Sequence, residues 1–279
     1  MNLSKLQEFL GKIGRRPNRK LSQNFLIDEN IAAKIVHLAE IKPKDKVLEI
    51  GPGPGALTSF LLAKGAEVLA IEKDPLLAQA LCRFQTIDHR LFSQCADFLN
   101  FDLSRLESKY KLVANLPYHI TTPILEKILE WNHLFSSITV MVQEELAKRI
   151  QSPPLYYVSA STIFIQCFTR VHSSFKVPSS AFFPQPKVQS TVIRFDICPH
   201  CIQEPKQFFQ FVKQAFQQKR KMLRTSLSIF YPIDIVEDAL KTLGIKENAR
   251  PETLTPDQWM RLYTNEFNSW RDAKETARI

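Results

Sequence analysis

From residue 45 onward the chain alternates short β-rich runs with stretches of helical periodicity, and that alternation limits the folds open to it. "KVLEIG" (46–51), "EVLAIE" (67–72), "LFSQC" (91–95), "KLVAN" (111–115) and "ITVMVQ" (138–143) read as strands. "ALTSFLLAK", "PLLAQALCRF" and "TPILEKILEW" lie between them with apolar residues at helical spacing, and Pro75 opens the second in a favourable first-turn position. Strands joined through helices pair in parallel by right-handed crossovers, and near-continuous apolar strands suit a sheet covered on both faces. The expected fold class is α/β, a Rossmann-like doubly wound sheet.

In such folds ligands bind at the carboxyl edge of the sheet, so the residues that close each strand carry the information about function. The first strand runs into "EIGPGPGALT", whose glycines at 51, 53 and 55 let the backbone pass close to a ligand. Gly51-x-Gly53-x-x-Ala56 satisfies the dinucleotide fingerprint. Pro52 and Pro54, however, remove two backbone donors from the loop a pyrophosphate needs, and Glu49 adds negative charge beside it. A cationic ligand suits this loop better than an anionic one. Glu72 closes the second strand, where a carboxylate can accept two hydrogen bonds from a ribose diol. Asp97 follows the third strand in "CADFLN". Asn115 ends the fourth, and Leu116, Pro117 and Tyr118 make a stiff turn after it. An apolar strand can simply stop at such a turn. An amide and an aromatic ring held at the sheet's mouth also describe a site.

Beyond "EELAKRI" come an apolar segment, "YYVSASTIFIQCF", a Pro-punctuated loop, "FFPQPKVQS", and one more strand, "TVIRF" (191–195). After "DICPHC" the pattern is helical only. The expected division is residues 1–197, a ligand-binding α/β domain with a basic N-terminal arm, and residues 198–279, a small helical domain. Net charge is +9, of which residues 1–20 carry +5, residues 21–198 carry +1 and residues 199–279 carry +3. Basic ends around a nearly neutral middle suit a polyanion. No run approaches the ~18–20 apolar residues of a membrane span, and the first residues lack the apolar stretch of a secretory leader, so a cytoplasmic setting is expected. Five irregularly spaced cysteines argue against a disulfide framework. Cys198 and Cys201 have no second pair nearby to complete a zinc site, so ordinary thiols and no metal are expected.

"SQNFLID", "EIGPGPGALT", "IEKD", "ADFL", "NLPY" and "FFPQPKVQST" occur in the order found in the rRNA adenine N6-dimethyltransferases. From about residue 15 to 195 the chain resembles the small-subunit (16S) branch, the kasugamycin-sensitivity methyltransferases, and its helical tail resembles that family's second domain. Ser22 stands where the family usually has Gly, and Gln189 where "PKVDS" would have Asp. The resemblance implies a methyltransferase sheet with S-adenosyl-L-methionine contacted by Asn24, Leu26, Gly51, Glu72, Asp97 and Asn115. It implies dimethylation of N6 on two adjacent adenines in a hairpin near the 3′ end of small-subunit rRNA, by a monomer acting on the immature small subunit.

Under that implication Asn115 and the Leu116 carbonyl accept from the adenine amine, Pro117 stiffens the turn, and Tyr118 and Phe182 stack on the base. Arg15, Arg16, Arg19 and Lys20, with Lys219, Arg220, Lys221 and Arg224 of "QKRKMLR", are the candidates for gripping RNA phosphates. The competing readings are a large-subunit rRNA methyltransferase of the erythromycin-resistance type, a non-catalytic ribosome-assembly factor and an NAD-dependent dehydrogenase. The dehydrogenase reading fits the glycine spacing but leaves "NLPY" unexplained.

Overall fold

A computed structural model describes residues 1–18, 23–85, 89–153, 158–198, 202–218 and 221–267. Seven strands form its central sheet: β1 (Lys46–Ile50), β2 (Glu67–Glu72), β3 (Leu91–Cys95), β4 (Tyr110–Asn115), β5 (Phe135–Gln143), β6 (Thr169–Val177) and β7 (Ser190–Ile197). They lie in the spatial order β3-β2-β1-β4-β5-β7-β6. β1 to β5 pair in parallel, in register Glu72↔Cys95, Ile50↔Ile71, Ile50↔Ala114 and Asn115↔Met141. The ends of β1 to β4 therefore meet at one edge.

Each strand expected from the sequence forms, and β6 is added to them. β7 pairs antiparallel with β5, so the doubly wound sheet is mixed. No α-helix connects β6 to β7, so no crossover imposes a parallel arrangement on β7. β6, "TRVHSSFKV", had no strand expectation because Arg170, His172, Ser173 and Lys176 leave it little apolar signal.

The helices are α1 (Leu3–Lys12), α2 (Glu29–Leu38), α3 (Ala56–Ala63), α4 (Pro75–Gln85), α5 (Thr121–Glu130), α6 (Glu144–Gln151), α7 (Ala160–Phe168), α8 (Pro205–Phe216), α9 (Leu223–Leu227), α10 (Ile233–Thr242) and α11 (Pro256–Arg261). None of the described helices is long and apolar enough to cross a membrane. Val47, Val68, Ala70 and Val113 of the sheet pack with Ile35 and Val36 of α2 and Leu57 and Leu61 of α3 in one buried cluster. α1 starts on an Asn2 cap, whose side chain accepts from the Lys5 N–H, and buries Leu6, Phe9 and Leu10 against Phe25 and Leu77. Phe25–Leu26 then pairs antiparallel with Phe182–Phe183.

The chain divides into two compact units. The first comprises Met1–Lys127, Trp131–Ala147 and Arg170–Ile197, and contains the sheet. The second takes Ile128–Glu130, Lys148–Thr169 and the residues from Cys198 onward. The second unit thus draws on more than the C-terminal helices. Phe164 of α7 stacks on Phe209 of α8 at 4.3 Å, and Phe168 meets Phe208 at 5.9 Å. Aromatic burial of this kind decides which unit α7 joins, and sequence order does not register it. Within α8 and α11, Phe211 and Trp259 meet edge to face at 5.9 Å in the same aromatic core.

Candidate active site

The loop leaving β1 is built from its glycines. Gly51, Gly53 and Gly55 have φ of +64°, +57° and +86°, the left-handed region that a side chain disfavours. Their N–H groups are all spent inside the protein. Gly51 donates to the Ile71 carbonyl at 2.9 Å, Gly53 to Glu72 Oε2 at 2.9 Å and Gly55 to the Pro52 carbonyl at 3.0 Å. Pro52 and Pro54 have none to give. Residues 51–55 therefore leave no backbone donor for a diphosphate, and the glycine spacing does not make a dinucleotide site.

Glu72 ends β2 with 6% exposure, and both its oxygens accept backbone N–H groups: Oε1 from Asp74 at 2.8 Å and Oε2 from Gly53 at 2.9 Å. Burial pushes its pKa up, and the two amides oppose that shift. Each carboxylate oxygen can accept more than one bond, so Glu72 keeps acceptor capacity for a ligand. Asp97 caps the short turn Phe98–Asn100 through Oδ1, which accepts from the Leu99 N–H at 3.0 Å. Its Oδ2 pairs with Lys73 Nζ at 2.7 Å, and that hydrogen bond holds its pKa below the usual range. Lys127, reaching from α5, donates to the Phe98, Leu99 and Phe101 carbonyls at 2.9, 2.8 and 2.5 Å and so pins the same turn.

Asn115 closes β4 with its Nδ2 donating to the Asn24 carbonyl at 3.1 Å. That bond commits the amide nitrogen and leaves the side-chain oxygen as an acceptor. The turn that follows is locked: the Pro117 carbonyl accepts from the Ile120 N–H at 3.1 Å and Thr121 Oγ1 at 3.0 Å. Half-buried Tyr118 shares a 2.5 Å hydrogen bond with Ser190 Oγ of β7, and burial raises its pKa.

One cavity gathers these groups. Asn24, Leu26, Gly51, Glu72, Asp97, Asn115, Leu116, Pro117 and Tyr118 all line it. Glu49, Lys73 and Phe98 also belong to its wall. Glu49 is 1% exposed, accepts from Thr58 Oγ1 at 2.7 Å, and burial pushes its pKa up to about 8. A carboxyl near the end of a strand signals charge in the sequence, and only burial pushes it toward the neutral form. Lys127 gave no signal at all, because its three carbonyl partners come from a different element.

Two expectations are corrected. Phe182 does not face the cavity; it is 1% exposed in the cluster with Val47 and Val113, because its strand pairing with Leu26 turns it into the core. Arg15 is not a free phosphate clamp, since its Nη2 and Nε both donate to buried Asp74, at 2.5 and 3.0 Å. Arg224 pairs with Glu237 at 2.9 Å and stays half-exposed. Arg16 and Lys221 are exposed. Arg19, Lys20, Lys219 and Arg220 lie outside the described residues, as do Ser22 and Cys201.

A family model described as ribosomal RNA adenine dimethylase matches residues 14–267 of the chain. The chain belongs to the ribosomal RNA adenine dimethylase family. Among curated relatives, the ribosomal RNA small subunit methyltransferase A of Protochlamydia amoebophila is 42% identical over 277 residues, spanning 96% of this chain and 98% of the relative. Its counterpart from Chlamydia felis is 43% identical over 268 residues, spanning 92% and 93%. Among solved structures, the 23S rRNA methyltransferase ErmE superimposes with a TM-score of 0.67 at 28% identity, covering 88% of this chain and all of that one (100%). A dimethyladenosine transferase from Plasmodium falciparum gives 0.73 at 24% identity, covering 88% and 98%, which is a likeness of fold.

As a dimethylase of this family the chain is an S-adenosylmethionine-dependent rRNA adenine methyltransferase. The cavity fits that cofactor on its own chemistry. It presents the carboxyl oxygens of Glu72 and Asp97 as acceptors for the hydroxyl and amino groups of a nucleoside, and it lacks the loop amides a diphosphate requires.

Proposed function

We propose that this protein dimethylates N6 of two adjacent adenines in a hairpin near the 3′ end of small-subunit (16S) rRNA, acting in the cytoplasm as a monomer on the immature subunit. The carrying observation is the Asn115–Tyr118 turn, held at the sheet edge by the Asn115–Asn24, Pro117–Thr121 and Tyr118–Ser190 hydrogen bonds. Identity above 40% over nearly the full chain to small-subunit enzymes favours that substrate over the 23S rRNA of the more distant ErmE.

S-adenosylmethionine supplies an electrophilic methyl group. The other roles fall to the chain. Glu72 accepts from the ribose diol, and Asp97, Gly51, Leu26 and Asn24 shape the adenosine pocket. An exocyclic adenine amine is a poor nucleophile, because its lone pair is delocalised into the ring. The Asn115 side-chain oxygen and the Leu116 carbonyl accept from its two N–H bonds and favour localising that lone pair as positive charge develops. Pro117 fixes the acceptors' direction, and Tyr118 offers a face on which the base stacks. Catalysis on this reading is positioning plus preorganised acceptors. The helical unit and the exposed Arg16 hold RNA backbone phosphates, with Lys221 part of that grip.

The direct test is incubation of the protein with labelled S-adenosylmethionine and unmodified small subunits, followed by nucleoside analysis. N6,N6-dimethyladenine at two adjacent positions is expected. Label appearing only on large-subunit RNA would overturn the substrate assignment.

A further inference from the structure

The N-terminal arm reaches Glu72 by two routes. On the first, the Asp74 side chain is fully buried (0% exposed), and its Oδ2 takes Arg15 Nη2 at 2.5 Å, Arg15 Nε at 3.0 Å and Gln23 Nε2 at 3.4 Å. A buried carboxylate without partners is very costly, so the turn carrying Asp74 settles where Arg15 can satisfy it. The Asp74 N–H in turn donates to Glu72 Oε1 at 2.8 Å. On the second route, Phe25 packs with Leu6, Phe9 and Leu10 of α1 and lies directly over Gly53. A Cβ at Gly53 would meet the Phe25 ring at 3.2 Å, and the Gly53 N–H holds Glu72 Oε2 at 2.9 Å. Both amides that orient the Glu72 carboxylate are thus placed by contacts from the arm. α1 is fastened at its other end as well, by the Met1 ammonium on Glu29 at 2.7 Å.

We infer that Arg15 is a positioning residue of the methyl-donor site, acting through Asp74 on Glu72, and not an RNA contact. The inference rests on the reading that Glu72 holds the donor's ribose. It explains why a basic residue in a basic arm is turned inward. Its guanidinium is committed to one carboxylate oxygen, and its neighbour Arg16 is left outside.

The test is calorimetric titration of the full chain with S-adenosylhomocysteine, alongside salt-dependent binding to a small-subunit rRNA fragment. Wild type should bind the nucleoside probe; failure there would overturn the donor-site reading itself and the inference with it. Arg15→Ala should raise the probe's Kd about tenfold or more, the loss expected for a charge-assisted hydrogen bond. It should raise KM for the donor while leaving kcat at saturating donor nearly intact, and leave the RNA salt slope unchanged. Arg15→Lys should recover part of the affinity. Because Arg15→Ala strands a buried carboxylate, Arg15→Ala/Asp74→Asn is measured beside it. With the charge removed, the double variant should regain its melting temperature yet still bind the probe weakly. Full recovery of affinity in the double variant would reduce Arg15 to a folding role. Unchanged probe affinity with a shallower RNA salt slope would return it to the phosphates. Either result overturns the inference.

Discussion

Asn115 shows how one backbone contact gives a side chain its chemistry. An amide can present either end to a ligand, and the 3.1 Å bond to the Asn24 carbonyl assigns the nitrogen inward and frees the oxygen. Asn115→Ala should slow methyl transfer on the order of 100- to 1000-fold, as loss of one preorganised polar contact does. Single-turnover rates at saturating donor and RNA check this, with donor affinity measured in the same variant. Glu49 gives a second residue-scale expectation. Its folded pKa, about 8, lies above the ordinary 4.5, so between those values the folded state holds more protons than the unfolded one. Stability should then fall as pH rises from about 4.5 to 8. Glu72, shifted in the same direction, adds to the slope. Glu49→Gln keeps the group neutral and should flatten that part of the profile in denaturant unfolding measured at several pH values.

At the scale of elements, the site depends on two turns whose geometry is enforced from outside them. Gly53 combines a φ of +57° with a Cβ contact of 3.2 Å to Phe25. Gly53→Ala should cost roughly 1–2 kcal/mol from the left-handed backbone alone, and should weaken donor binding because the strain falls on the amide that holds Glu72. Thermal melts and calorimetry separate the two effects. The turn after β3 is held by Lys127, whose ammonium collects three carbonyls. Lys127→Met keeps much of the stem and removes the charge. It should lower stability by roughly 1.5–3 kcal/mol, the range for hydrogen bonds to a charged group, and weaken donor binding through the displaced Asp97 and Phe98. Unaltered donor affinity in a stably folded variant would mean that the turn holds itself.

For the whole molecule, the charge distribution makes a prediction that no single contact does. The basic excess sits at the two ends of the chain, and exposed Arg16 and Lys221 represent the two ends among the described residues. Neutralising each phosphate contact should reduce the magnitude of the slope of log K against log salt by about 1. Arg16→Gln and Lys221→Gln should each flatten RNA binding by about that amount and leave donor affinity unchanged. Filter binding across a salt series reads the slope directly. A slope identical to wild type would assign either residue to the solvated surface.

Local chemistry by itself determined the parallel part of the sheet, β1 to β5, and the edge at which its functional groups converge. Strand and helix periodicities are short-range, and Gly51, Glu72, Asp97 and Asn115 each sit at a strand end that parallel pairing must bring together. The prolines of "GPGPG" likewise remove two backbone donors in the covalent structure alone, and the folded chain spends those of Gly51, Gly53 and Gly55. What only tertiary structure decided was the direction and company of individual side chains. Phe182 and Phe183 are equivalent as letters, and the pairing of Phe182 with Leu26 buries it in the core. Arg15 and Arg16 differ only by one position, yet a carboxylate 59 residues away claims the first. α7 joins the helical unit through aromatic contacts with α8 that no local pattern encodes. Periodicity reports which residues share a face; which partner meets that face depends on packing between segments far apart in the chain.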